Sequence, residues 1–333
     1  MVQVFLIGLG AGAASALLFA STITGSVLAL LLYCLSALPI MLAAIAWSPL
    51  AGLIAMLFGA IALAAALGDV WFAVVYVFTV AVPAYWLAYL VMLGREVAPA
   101  NGSAAPVMEW YPIDRLTLWA AVIASVIVGA VVLFGTGYEN YQKEIGVLFE
   151  RALKMQTGTP ADKPLKLPNV DNTEQLLAAL AIVLPPIFAG LSASVLMLTN
   201  VLNLWLAARV AHVSGRLRRP WPDLTAIRLP FVTLIMLCVA MIVAFAGGTP
   251  RLVASIVIGV LTVAYGMVGF AVLHAITRSA SARIWILMAV WLSVLLLSWP
   301  LFFVALFGIA DTLFDLRGKV AARKPPFPPI QRN

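Results

Sequence analysis

The stretch LLAALAIVLPPIFAGLSASVLMLTNVLNLWLAARVAHV, residues 176–213, is a very long apolar run and decides the fold. At about 1.5 Å per residue, a helix of this length exceeds a hydrocarbon core of about 30 Å. The segment must therefore tilt, kink or protrude from a membrane. It follows the only long polar insert, 135–175, and precedes a cluster of arginines, so it divides the chain both in sequence and across the bilayer.

The composition is that of a polytopic membrane protein. Hydrophobic residues make up 64% of the 333 positions and charged residues 10%, whereas soluble domains have roughly 45–50% and 25%. The net charge of +7 comes from Lys and Arg at span ends and in short loops, where the positive-inside tendency places them. We therefore expect the lipid bilayer, and not nucleic acid, as the partner of these charges.

The apolar pattern predicts an all-α bundle of eight or nine transmembrane segments. The first four are joined by tight turns, and Asp69, the one charge within the first 94 residues, is interpreted as a helix cap. Met1–Ala20 lacks the basic region of a cleaved signal peptide, which predicts a retained first span. The nine candidate segments are about 4–20, 25–46, 50–67, 70–93, 116–134, 176–213, 229–246, 252–273 and 284–310.

The polar stretches divide the chain into four predicted blocks. In the insert, Tyr138, Tyr141, Ile145, Leu148, Phe149 and Ala152 recur at helical spacing, which predicts an amphipathic helix that lies on the membrane surface or caps the bundle. The blocks are a four-span N-terminal block (1–94), two further spans with the extracytoplasmic insert 135–175 (95–213), a basic cytoplasmic loop with C-terminal helices (214–318), and a basic, proline-rich, disordered tail (319–333).

The position of the tail depends on the last apolar segment. With the arginine loop in the cytoplasm, three further spans would put the basic tail outside, against the positive-inside tendency. Pro300 divides residues 284–310 into two pieces that are each short for a full crossing and compatible with a re-entrant hairpin. Eight spans with a re-entrant segment and nine spans with an external tail both stay open.

Two rows of small residues predict close helix packing. On the first span, Gly8, Gly12, Ala16 and Ala20 are four residues apart, and this face is either packed within the bundle or a docking face for another membrane subunit. On the eighth span the row predicts a helix-packing seam, formed by Ser255, Gly259, Thr262, Gly266 and Gly269.

Polar and proline positions in the long segment point to two further interpretations. Asn200 and Asn203 share one helix face towards its arginine end, and such side chains bond a neighbouring helix or contact a solute or ion. Pro39 in the second span and Pro185-Pro186 in the sixth both interrupt leucine-rich helices, as paired broken helices do in transporters. Two such short matches are also expected by chance in a chain rich in Ala and Leu.

The sequence lacks the motifs of several enzyme classes. It contains no G-x-x-x-x-G-K-[ST], H-E-x-x-H, C-x-x-C or G-x-S-x-G pattern. Cys34 and Cys238 both fall in apolar runs, and His212 and His274 stand alone near span ends. We therefore predict no enzymatic activity, no cofactor and no metal site.

The C-terminal half resembles the YybS-like family of predicted bacterial membrane proteins, a domain of unknown function. The resemblance rests on R-L-R-R-P-W-P at 216–222, R-L-P at 228–230 and F-G-I-A-D-T-L-F-D-L-R at 307–317. It implies a multi-pass protein of the bacterial inner membrane, without an assigned activity.

The N-terminal part is similar, more distantly, to the substrate-binding S-components of energy-coupling-factor vitamin transporters. In that family a four-residue alanine repeat on the first helix docks on a shared membrane subunit, and Gly8, Gly12, Ala16 and Ala20 have the same spacing here. The resemblance implies membrane partner subunits. The chain departs from the family in its greater length and in having no recognisable vitamin-binding motif.

Two function hypotheses follow. The first is a transport-type component that binds a small solute and depends on partner subunits. The second is a non-transporting scaffold or regulatory protein, whose basic loop, with Arg216, Arg218 and Arg219, binds anionic lipid or a cytoplasmic partner.

Overall fold

The chain is an almost entirely helical protein, about 82% helical. A computed structural model describes residues 1–97, 107–160, 162–165 and 172–322. Strands in these ranges are confined to an antiparallel pair, β1 (Gly94–Val97) and β2 (Val107–Trp110). The helices are α1 (Val2–Ala20), α2 (Val27–Cys34), α3 (Leu38–Ala46), α4 (Pro49–Leu67), α5 (Val70–Tyr76), α6 (Val82–Val91), α7 (Ile113–Ala130), α8 (Tyr138–Thr157), α9 (Thr173–Val213), α10 (Phe231–Val243), α11 (Gly248–Ile276), α12 (Arg283–Leu297), α13 (Pro300–Phe314) and α14 (Leu316–Ala322).

Seven helical segments in the described part of the chain are long and apolar enough to cross a membrane. The predicted count of eight or nine is not confirmed, because α10 has only 13 residues and the last apolar segment forms two helices of 15 residues. The seven segments are Val2–Thr24, Val27–Ala46, Pro49–Leu67, Val70–Val91, Ile113–Thr136, Thr173–Val213 and Gly248–Ser279.

Short polar residues start the helices of the N-terminal block. The Ser26 and Ser48 hydroxyls accept the backbone N–H groups of Ala29 and Ala51 at 3.1 and 3.2 Å. The Asp69 carboxylate accepts the Trp71 N–H at 2.8 Å. The interpretation of Asp69 as a helix cap is therefore confirmed, and each cap satisfies a donor that has no partner within its helix.

The chain divides into two compact units. The first comprises Met1–Trp221 with Ala240–Val260, and the second comprises Pro222–Val239 with the described residues from Leu261 onward. The predicted blocks 1–94 and 95–213 thus share one unit, whereas the predicted block 214–318 contributes to both. Of the predicted tail, residues 319–322 belong to α14 instead of being disordered, and 323–333 lie outside the described residues.

The small-residue face of α1 packs on α4 within the first unit. A Cβ atom on Gly8 would lie 2.7 Å from the Cβ of Ile54, and one on Gly12 would lie 2.5 Å from the carbonyl oxygen of Ala55. Ala16 is buried on the same face, and Ala20 is half-buried. The interpretation of this face as a subunit-docking surface is wrong, because another helix of the same chain covers it.

The small residues of α11 also lie at close helix contacts. In the first unit, α11 packs on α9 at Gly190. A Cβ atom on Gly190 would collide with the backbone of Ser255, and one on Gly259 would collide with the backbone of Gly190. In the second unit, Gly266 and Gly269 lie against Leu301 and Val304 of α13. Thr262 lies between them in sequence and is half-buried. Small side chains let the backbones approach at these points.

The predicted amphipathic helix is α8, and it packs along the first turns of α9. Pro185 has no N–H, so the carbonyl of Ala181 lacks its helical donor; the Gln142 side-chain amide donates to that carbonyl at 3.0 Å. Helix α9 continues through both prolines. Of the predicted apolar face, Tyr141 and Ile145 are half-buried, whereas Leu148 and Ala152 are exposed.

The last apolar segment folds back on itself. Trp291 of α12 stacks on Phe270 with ring centroids 4.0 Å apart, and Val304 of α13 contacts the adjacent Gly269. Residues 13 positions apart in a straight helix would lie about 20 Å from each other. The turn between the helices includes Ser298, whose φ is +58°, so α12 and α13 form a helical hairpin.

Both ends of this hairpin contact the same loop of the second unit. Before it, the Arg278 guanidinium donates to the Thr225 hydroxyl at 2.6 Å. After it, the Arg317 guanidinium donates to the carbonyls of Thr225 and Ile227 at 2.5 and 2.9 Å. The segment therefore begins and ends at the same loop, an arrangement that favours the re-entrant alternative.

Leucine at Gly8 or Gly12 is expected to lower the free energy of unfolding by at least about 1–3 kcal/mol, because the added side chain must displace α4. Gly10 is exposed, with no atom within 4 Å of an added Cβ, so Gly10→Leu is the matched control. Thermal unfolding in nanodiscs measures the difference. Equal melting temperatures for Gly12→Leu and Gly10→Leu would contradict the α1–α4 contact.

The re-entrant alternative predicts that Lys319 lies on the same side of the membrane as Ala226. In a variant without Cys34 and Cys238, a cysteine at either position should react with an impermeant thiol reagent in sealed vesicles of the same orientation. A cysteine at Thr157, in the insert that the sequence predicts on the opposite side, should be protected there. Labelling of Lys319→Cys together with Thr157→Cys would show instead that the last segment crosses the membrane.

Candidate functional site

The second span is broken at its centre. Pro39 cannot donate to the carbonyl of Leu35, and its ring disfavours a continuous helix. The chain forms a tight turn there instead, in which the Leu38 N–H donates to the Leu35 carbonyl at 3.1 Å. The Leu38 N–H is the donor that the carbonyl of Cys34 would have in a regular helix. The break therefore leaves the Cys34 carbonyl free.

Asn203 of α9 supplies the missing donor. Its Nδ2 atom donates to the carbonyl of Cys34 at 2.7 Å and to the carbonyl of Thr199, one turn earlier in α9, at 2.8 Å. Asn203 is completely buried. One of the two interpretations of the asparagine pair, an interhelical hydrogen bond, therefore holds for Asn203.

A second chain of hydrogen bonds reaches the same break from α1 and α5. The Tyr76 hydroxyl donates to the Ser15 hydroxyl at 2.8 Å, and Ser15 donates to the carbonyl of Ser36 at 2.6 Å. All three residues are buried. Tyr76 reaches this position beside Gly59 of α4, where a Cβ atom would collide with the tyrosine hydroxyl.

Two atoms of the asparagine pair have no partner. The Nδ2 atom of Asn200 and the Oδ1 atom of Asn203 are buried without a hydrogen bond, and Asn200 is only 3% exposed. Among the described residues the other buried side-chain atom in this state is Nε1 of Trp47. An unpaired amide donor and an unpaired carbonyl acceptor are costly in an apolar interior, and a polar ligand could satisfy both.

The site lies midway along the second candidate span. We call Ser15, Ser36, Tyr76, Asn200, Asn203 and the Cys34 carbonyl the polar centre. The break lies midway between the ends of the span Val27–Ala46, and Asn203 is ten residues, or about 15 Å, from the end of α9. Both asparagines lie towards the arginine end of α9, as the sequence predicts.

The polar centre is uncharged. The first four spans contain no Asp, Glu, Lys, Arg or His. The nearest charge along α9, Arg209, follows Asn203 by six residues. In the described part of the chain, no three His, Cys, Asp or Glu side chains lie close enough to hold a metal ion. The chemistry available here is hydrogen bonding by neutral donors and acceptors.

The arginine loop is partly used for contacts within the first unit. Arg219 is buried and donates to the carbonyl of Val91 at 3.2 Å, which caps the C-terminal end of α6. Burial lowers the pKa of the Arg219 guanidinium. The guanidinium of Arg216 lies 4.5 Å from the ring centroid of Trp47, and Arg218 is exposed.

The residues that carry the C-terminal resemblance form ion pairs in the second unit. Asp311 and Arg317, both buried, are paired at 2.6 Å. Asp315 pairs with Arg228 at 2.8 Å, and the hydrogen bond from Arg228 lowers the pKa of the Asp315 carboxyl. Together with the bonds from Arg317 to the loop carbonyls, these contacts hold the end of the hairpin to residues 225–228. They have a structural role and leave no open site.

Sequence reasoning identified Asn200 and Asn203 but missed most of the polar centre. Tyr76 could have been found as an isolated tyrosine near hydrophobic neighbours in a span, and Ser36 by its position three residues before Pro39. Nothing in the sequence shows that the Cys34 carbonyl accepts from Asn203, since 169 residues separate them.

Comparison with known proteins gives no assignment. A scan against protein-family models finds no match, and searches of curated proteins and of solved structures find no significant similarity. The function is therefore inferred from the geometry of the polar centre.

Proposed function

We propose that the chain is a transport-type membrane component that binds a small, uncharged polar solute at the polar centre. The observation that carries this proposal is the pair of unpaired atoms, Asn200 Nδ2 and Asn203 Oδ1, beside a helix break at mid-depth. Broken helices near the bilayer midplane form the solute sites of many transporters. The absence of charge in the polar centre favours a neutral solute, because an unpaired ion would be costly there.

The proposal includes an energising partner subunit. The chain has no phosphate loop of the G-x-x-x-x-G-K-[ST] type, so a partner subunit would supply nucleotide hydrolysis of that kind. Such a partner would dock elsewhere than on Gly8 and Gly12, because α4 covers that face. The bacterial inner membrane is the proposed location, on the strength of the family resemblance.

The scaffold alternative has less support. It assigned Arg216, Arg218 and Arg219 to anionic lipid or a cytoplasmic partner, but Arg219 is buried and donates to the carbonyl of Val91. Arg216 and Arg218 are exposed, and Arg216 stacks on Trp47.

Native mass spectrometry of the chain, purified from its membrane in nanodiscs, should detect one retained small solute. Asn200→Ala should abolish its retention without lowering the melting temperature, because removal of an unpaired buried polar group is close to neutral for folding. Asn140→Ala, outside the polar centre on α8, is the matched control and should retain the solute.

Retention by Asn200→Ala of the same solute at the wild-type level would contradict the proposed site. So would a wild-type protein that retains no solute and whose melting temperature is unchanged by a panel of small uncharged polar compounds. Asn203→Ala should lose stability as well as solute retention, since Asn203 also donates to the carbonyl of Cys34. It therefore does not replace Asn200→Ala as the test of the site.

A further inference from the structure

A group of arginines at the end of α9 has no acidic partner. Arg209, Arg216 and Arg218 are all exposed, and none of them belongs to an ion pair in the described part of the chain. We call these three residues the arginine face. Their positive charge is therefore available to an anion from outside the protein.

Tryptophan rings hold two of these guanidinium groups in place. The Cζ atom of Arg209 lies 5.4 Å from the ring centroid of Trp221, and that of Arg216 lies 4.5 Å from the ring centroid of Trp47. Such stacking uses the flat face of the guanidinium and leaves its N–H donors, which lie in the plane, free for an anion. Tryptophan is also the residue favoured at the headgroup level of a membrane.

The loop that carries Arg216 and Arg218 is fixed to the bundle. The backbone N–H groups of Arg216 and Leu217 donate to the carbonyl of Ala211 at 2.8 and 3.1 Å, and Gly215 has the positive φ of +66° that ends the helix there. Arg219 anchors the other end of the loop on Val91. An anion would thus meet arginines that are already positioned, at a low entropic cost.

The part of α9 around Arg209 has an exposed apolar surface that acyl chains could contact. Leu202, Trp205 and Val213 share a helix face with Arg209, at spacings of seven and four residues, and are 52%, 43% and 74% exposed. Leu202 and Trp205 lie on the bilayer side of the arginine, at successive turns. A ligand that fits this surface has an anionic head and long apolar chains, which a free phosphate lacks.

We propose that the arginine face is a binding site for an anionic phospholipid. The phosphate accepts hydrogen bonds from Arg209 and Arg218, with Arg216 alongside, and one acyl chain lies against Leu202 and Trp205. Phospholipid is favoured over a free anion by the continuity of the exposed apolar surface with the arginines. This site is separate from the polar centre and does not depend on the proposed solute.

Native mass spectrometry of the full chain in detergent, titrated with phosphatidylglycerol or phosphatidylcholine, measures the preference. Arg209→Gln with Arg218→Gln should reduce affinity for phosphatidylglycerol by about fivefold for each charge removed and leave the weaker binding of phosphatidylcholine unchanged. Arg115→Gln removes another exposed arginine, at the start of α7, and should keep the wild-type preference. Arg209→Lys keeps the charge but loses the stacked plane, so it should cause a smaller loss.

Equal affinity of the wild type and the double variant for phosphatidylglycerol would overturn the proposal. An equal loss in Arg115→Gln would also overturn it, since the effect would then reflect net charge alone. Glycerol phosphate has the anionic group without acyl chains; if it displaces phosphatidylglycerol at equal concentration, the site binds a free anion and the assignment to lipid is wrong. If the double variant does not fold, the Arg209→Lys and Trp205→Ala variants decide, and wild-type affinity in both would refute the site.

Discussion

The carbonyl oxygen of Cys34 is the constraint on which the arrangement of the first unit depends. In a bilayer no water is available to a backbone group that loses its helical partner, so the protein itself must supply a donor. At the break before Pro39 the Leu38 N–H donates to Leu35 instead of Cys34, and the Asn203 amide donates to the Cys34 carbonyl at 2.7 Å in its place. This bond aligns Asn203 of α9 with the break in the second span, midway between the ends of Val27–Ala46.

The same rule explains the other departures from regular helices. The Ala181 carbonyl, which Pro185 leaves without its helical donor, accepts from Gln142. This bond holds α8 against the N-terminal part of α9. The Ser36 carbonyl accepts from Ser15, which Tyr76 supports in turn. In each case a polar side chain donates to a carbonyl that lacks its regular helical donor. The polar centre differs because it also contains an unpaired donor, Asn200 Nδ2, and an unpaired acceptor, Asn203 Oδ1.

Hydropathy alone predicted most of the membrane segments, because a long apolar run in lipid has little choice but to be a helix. The residue type and turn position of Asp69 predicted its role as a helix cap, because capping is a local interaction. The sequence could not identify the partner of the Gly8 and Gly12 face, since this spacing suits an internal contact as well as a docking surface. The position of α9 against the broken second span depends on its tertiary contacts with α3 and α8, which no local sequence pattern records.

The link between the helix break and Asn203 is tested most directly by a double-mutant cycle of Pro39→Ala and Asn203→Ala, read as unfolding free energy in nanodiscs. With Pro39 present, the loss of Asn203 strands the Cys34 carbonyl and should cost about 1–3 kcal/mol. In the Pro39→Ala background the helix can continue and satisfy that carbonyl, so the same substitution should cost much less, with a clear coupling between the sites. Equal costs in both backgrounds would contradict the account.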